Sequence, residues 1–132
     1  MIALFIWALL LPPEPASRVA AHALGRPDLA DEMVTVTRRE SSSTRVGVHW
    51  KDAWANRCMR ENAIRTGWLS ERCRDQGVYS PRGIQGLAWA YNAKYLGLGW
   101  LCMPSIFDVP IFSAVASVRK FEAVCPENGW CP

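Results

Sequence analysis

The stretch Asp28–Ser43, DLADEMVTVTRRESSS, decides how this chain is read. Leu29, Met33 and Val36 recur at i, i+4 and i+7, the spacing that stacks side chains on one face of an α-helix. Asp28, Asp31 and Glu32 fall in the first turns, where carboxylates meet the positive end of the helix dipole. The serine run from Ser41 ends the pattern, because short hydroxyl side chains compete for backbone hydrogen bonds. The spacing therefore predicts a helix from about Asp28 to about Glu40. The next position on its apolar stripe, i+11 from Leu29, is Glu40 itself, so this carboxyl group should face the core or a cleft while Arg38 and Arg39 point elsewhere. Burial and the negative end of a helix dipole both disfavour a charged carboxylate, and a glutamic acid that keeps its proton can give it to a leaving group. The plainer alternative is a structural glutamate that turns to solvent or pairs with Arg38, Arg39 or Arg45.

Outward from this helix, the chain reads as one mainly α domain. Its 132 residues allow one modest core, and a hydrophobic half with a charged fifth is a globular composition. Net charge is +3 with no block of five basic residues, which gives no footprint for nucleic acid. Seven tryptophans suit either core filling or a platform for stacking rings. The five cysteines, Cys58, Cys73, Cys102, Cys125 and Cys131, form no Cys-x-x-Cys pair, and His22 and His49 are not spaced with them as zinc ligands. Two disulfides and one leftover thiol, in an oxidising compartment, is the expected state, with reduced core cysteines as the alternative.

Before Pro12 come eleven uncharged, almost wholly apolar residues, MIALFIWALLL. That length suits a signal-peptide core and falls short of the roughly 20 residues of a spanning helix, although no Lys or Arg precedes it. Residues 1–15 are thus read as a hydrophobic signal or anchor segment with a stiff linker, Pro12-Pro13-Glu14-Pro15, and residues 16–132 as the domain. An uncleaved helix docked on the domain or on a membrane is the alternative.

Further helices are expected from Ala16 to Leu24 and from an Asp52 cap to about Thr66, the latter closed by Gly67 and carrying Trp54, Cys58, Ile64 and Trp68 on its apolar side. Ser80-Pro81 reads as a helix start, with Ile84, Leu87, Ala88, Tyr91 and Tyr95 as its apolar face and Gly97 and Gly99 as its end. Asp108 caps a last helix with a stripe of Ala114, Val118, Phe121 and Cys125. The tail from Cys125 to Cys131 holds an Asn-Gly turn and suits a small disulfide loop.

Two of these segments carry a resemblance. Glu40-Ser41-Ser42, followed by Ser80-Pro81-Arg82-Gly83-Ile84-Gln85-Gly86-Leu87, resembles the paired motifs of lytic transglycosylases, members of the lysozyme-like superfamily that cleave peptidoglycan. In that family a Glu-Ser pair ends a helix, and a Ser-Pro-x-Gly-Ala-x-Gly-Leu-Met-Gln motif lines the cleft. Phe107-Asp108-Val109-Pro110 is similar to the family's Phe-Asp-Pro segment. The likeness runs from about Leu24 to Cys125. It implies a lysozyme-like fold, a small α+β one included, with Glu40 as the catalytic acid and base. Ser41 and Ser42 would orient Glu40, and Gln85, Trp89 and Tyr91 would contact substrate. Tyr79 and Arg82 are further candidates for a sugar ring and an acidic stem peptide. Gly83 and Gly86 would leave a groove for a ligand or a neighbouring backbone.

The chain departs from the family where Met-Gln becomes Ala88-Trp89, and where a helical insertion at Trp50–Trp68 lengthens the gap between motifs. Tyr91-Asn92-Ala93 resembles the family's Ala-Tyr-Asn-Ala-Gly, but follows the glycine motif too soon, which favours a packing role for Tyr91.

The resemblance implies a partner, the peptidoglycan glycan strand, and a reaction. Glu40 protonates the oxygen linking N-acetylmuramic acid to N-acetylglucosamine, then takes a proton from the muramoyl 6-hydroxyl to give a 1,6-anhydro end. One carboxyl suffices, without metal or cofactor. A hydrolase would normally need a second, and Asp52, the nearest candidate, is read more simply as a helix cap. An exported, periplasmic or virion-associated protein fits this reading, with membrane contact through residues 1–12. The competing classes are a degenerate relative serving as a wall-binding or virion structural module, and a membrane-anchored interaction protein.

Overall fold

The structure, a computed structural model, describes residues 2–41, 53–75, 83–85, 87 and 89–128. Among these the chain is mainly helical and contains no strand. Six α-helices are described: α1 (Ile2–Leu9), α2 (Pro13–Ala23), α3 (Ala30–Ser41), α4 (Ala53–Arg65), α5 (Trp89–Asn92) and α6 (Pro110–Asn128). Short 3₁₀ turns at Pro27–Leu29, Glu71–Asp75, Ala93–Leu96 and Pro104–Asp108 join them.

The expected helix over 28–40 is present as the Pro27–Leu29 turn and α3. The stretch read as a linker is instead the first turn of α2. Pro12 is extended, and Ala16 N–H makes the first helical bond to Pro12 O at 2.9 Å. Pro13 and Pro15 sit where a helix has no internal acceptor for its N–H groups, so their missing donors cost nothing. The division at residues 15 and 16 therefore falls inside α2.

Two clusters of buried side chains form the core, and α6 supplies both. The first joins Leu11, the small residues Ala16, Ala20 and Ala21 of α2, Leu29 and Met33, Ile84, and Ile111, Ala114, Val118 and Phe121 of α6. Ala8 and Leu9 of α1 pack on its edge. The second gathers Ala63, Leu69, Cys73, Leu87, Trp89, Ala93, Phe107 and Ala116. Because Leu11 is buried ahead of α2, Leu11→Ala should cost about 2–3 kcal/mol, and removing residues 1–15 more. Thermal unfolding of the two variants beside the parent checks this.

The segment read as one helix from Pro81 to Tyr95 is not one. Gly83 has φ +80, outside the right-handed helical region, and Gly83–Gln85 forms a turn. Among the described residues helix resumes with α5 at Trp89, and Gly97 (φ +68) closes the following 3₁₀ turn. Ile84 enters the first cluster and Leu87 the second, so the apparent stripe divides between two cores. Ser80, Pro81, Gly86 and Ala88 lie outside the described residues.

Cys73 and Cys102 form a disulfide, 29 residues apart. It ties the segment after α4 to the loop before α6, beside a bond from Ser70 N–H to Gly99 O at 2.9 Å. Reduction should lower stability by about 3–4 kcal/mol on loop-closure grounds, read as a lower unfolding midpoint with a reductant present. Cys58, expected on the apolar side of α4, is exposed and free. Cys131 lies outside the described residues, as does the pairing of Cys125, although α6 runs past that position to Asn128. No helix among the described residues is long and apolar enough to cross a membrane.

Candidate active site

Glu40 occupies the last turn of α3, and the stripe that leads to it passes from core to cavity. Leu29 and Met33 are buried in the first cluster, whereas Val36 and Glu40 line a cavity of about 150 Å³. Arg39, Gln85, Leu87, Ser117 and Lys120 complete its walls. Helix end, glycine-motif turn and α6 thus meet around one space.

The turn is held there by a buried polar chain. Gln85 is 4% exposed, and its Nε2 donates to Thr37 Oγ1 at 3.1 Å and more weakly to Met33 O at 3.4 Å. Thr37 and Ser17 share a hydrogen bond of 2.9 Å, which carries the chain on to α2. Gln85 Oε1 has no partner among the described residues. A buried amide oxygen left open beside a cavity is an acceptor ready for a ligand N–H or O–H. On the far side of the turn, Gly83 lies against the Phe107 carbonyl and Ser113. A Cβ at Gly83 would stand 2.1 Å from Phe107 O and 2.7 Å from Ser113 Oγ. The groove expected at this glycine is thus filled by the protein's own backbone.

Three expectations change. Arg38 does point away, to Glu14 on α2 at 2.6 Å. Arg39 does not: its Nε meets Glu40 Oε1 at 3.2 Å, and it lines the same cavity. The Glu40 side chain is 42% exposed, so the group stands at a mouth rather than in the core. Trp89, expected to stack on substrate, is fully buried and packs edge-on against Phe107 with centroids 5.0 Å apart. A ring with no free face cannot stack on a sugar, and Trp89 is a core residue. Tyr91 is partly buried away from the cavity, accepts a hydrogen bond from Asn62 Nδ2 at 3.0 Å and packs edge-on against Trp68. Ser41 is the last residue of α3, whereas Ser42, Tyr79, Arg82, His49 and Asp52 lie outside the described residues.

Ser117 and Lys120 were not singled out from the sequence. Ser113, Ser117 and Lys120 recur at i, i+4 and i+7 beside the apolar stripe of α6, and that polar row was the available signal. Burial pushes the Lys120 ammonium below the ordinary lysine range, with Glu40 opposing the shift and Lys94 adding to it. A fold that disfavours the charged lysine gains stability as pH rises from the lowered value toward the ordinary one, near about 10.4. Lys120→Met lacks that gain. Its stability relative to the parent should therefore fall as alkaline pH increases, which denaturant midpoints at successive pH values measure.

No group of His, Cys, Asp and Glu among the described residues could hold a metal ion. No family model, curated protein or solved structure matches the chain.

Proposed function

We propose that the chain is a peptidoglycan-cleaving lytic transglycosylase of lysozyme-like kind, with Glu40 as its general acid and base. The observation that supports this best is convergence. Glu40 at the end of α3, Gln85 and Leu87 of the glycine-motif segment, and Ser117 and Lys120 of α6, three segments far apart in sequence, line one cavity. Glu40 stands at its mouth, within reach of solvent and of a chain too long to enter. Gln85 Oε1 offers an acceptor, Lys120 and Ser117 offer donors, and Val36 and Leu87 an apolar wall.

In the first step Glu40 gives its proton to the glycosidic oxygen as the bond to the muramoyl carbon breaks. In the second, the resulting carboxylate takes the proton of the muramoyl 6-hydroxyl while that oxygen closes on the same carbon. The proton returns to Glu40, no water is consumed, and one carboxyl serves both steps. Arg39 and Lys120 balance the carboxylate that forms between them.

The Arg39–Glu40 pair favours a second reading, a wall-binding relative without activity, since an engaged carboxylate is less free to transfer a proton. Incubating the full oxidised chain with purified peptidoglycan separates the two. The enzyme releases soluble glycan fragments, whereas the binding module sediments with the wall and releases none.

A further inference from the structure

The first thirteen residues carry no charged side chain, and several large apolar groups among the described ones are uncovered. Phe5, Ile6, Trp7 and Leu10 are each at least half exposed. The segment is nevertheless fixed to the domain. Ala8 and Leu9 pack on the first core cluster, Leu11 is buried in it, and α1 touches α6. These contacts hold one side of the segment inward and direct the four large side chains outward.

We infer that α1 is a foot that seats the protein on the surface of an anionic lipid bilayer, with the Glu40 end of the domain next to the membrane. A second copy of the chain is the weaker occupant. At about 150–250 Å² for a large aromatic side chain, the four half-exposed groups offer roughly 450 Å². A stable dimer buries about 800 Å² on each partner. A bilayer sets no such threshold, because hydrocarbon takes up every exposed face of a short helix.

An eight-residue helix is about 12 Å long, less than half the roughly 30 Å hydrocarbon core, so α1 enters one leaflet. Trp7 has the apolar body and polar N–H that favour the headgroup level. The placement follows from the start of α2. Glu14 meets Arg38 at 2.6 Å and Ser17 meets Thr37 at 2.9 Å, which puts the α1–α2 junction beside the last turns of α3. The exposed Arg38 and Arg39 stand at that same end, paired with Glu14 and Glu40, and would exchange those carboxylates for lipid phosphates on docking.

The test is flotation of the full chain with vesicles of phosphatidylethanolamine containing a minority of phosphatidylglycerol. The parent should rise with the vesicles. The double variant Phe5→Ser, Trp7→Ser should partition at least about tenfold less, since each change removes a large apolar side chain from the bilayer. Both positions are exposed, so its circular dichroism and unfolding midpoint should match the parent's. Equal flotation of parent and variant overturns the inference. So does light scattering that shows the parent as a dimer, the variant as a monomer, and neither on vesicles. Lipid binding is read without substrate, so neither result depends on whether Glu40 cleaves glycan.

Discussion

Glu40→Gln is expected to reduce glycan cleavage by about 10²–10⁴-fold while leaving the fold intact. The amide keeps the shape and hydrogen-bonding reach of the carboxyl group but cannot give up a proton to a glycosidic oxygen. It cannot accept one from the muramoyl hydroxyl either, so both steps fail together. Stability should hardly change. Glu40 is nearly half exposed, and its ion pair with Arg39 is a surface pair of the kind worth about 0–1 kcal/mol. Initial rates of soluble fragment release, beside a thermal unfolding curve for each protein, measure both quantities. Peptidoglycan binding that survives the change alongside an unaltered baseline of release would fit the wall-binding reading instead.

Gly83→Ala is expected to be strongly damaging, costing about 3–5 kcal/mol. Two independent terms add. A side chain at φ +80 forces the backbone into a conformation that L-residues rarely adopt. The added carbon also meets the Phe107 carbonyl oxygen at 2.1 Å, and that atom belongs to the backbone of a residue fully buried in the second core cluster. Relief requires the turn to move off Phe107, which would drag Gln85 from Thr37 and open the cavity beside Glu40. Activity and stability should therefore fall together. Gly25 makes a useful control: its φ is +72, but nothing lies within 4 Å of its missing Cβ. Gly25→Ala should carry only the backbone cost, about 1–2 kcal/mol. Chemical denaturation of the two variants separates conformational strain from collision.

Periodicity reveals which face of a helix is buried, and here it worked where the helix was real. Leu29 and Met33 are buried as their spacing requires, whereas Glu40 at the end of the stripe lines a cavity half-exposed and paired with Arg39, as the plainer alternative had it. The C-terminal end of α4 near Arg65 followed from Gly67. Periodicity failed at Ile84, Leu87, Tyr91 and Tyr95. Their spacing is helical by accident, and the conformation of Gly83 is set by Phe107, a contact 24 residues away that no local pattern contains. The prolines at 12, 13 and 15 misled for a different reason: the residue that breaks a helix inside is tolerated in its first turn. Trp89 could not be assigned because a core ring and a stacking platform have the same chemistry, and only burial separates them. Ser117 and Lys120 were legible as a polar row on α6, but a row beside a strong apolar stripe reads as solvated surface until a cavity is seen against it. The Cys73–Cys102 pairing rests on the packing of Gly99 against Trp68, which brings the two segments together.

The most direct measurement is the chemistry of the new glycan ends when the full chain digests peptidoglycan in water enriched in heavy oxygen. A single carboxyl that regains its proton from the substrate's own 6-hydroxyl predicts 1,6-anhydro-muramoyl ends that carry no label, and none from Glu40→Gln. Reducing ends that carry the heavy isotope would contradict it, because they would make water the nucleophile and require a second carboxylate beyond Glu40.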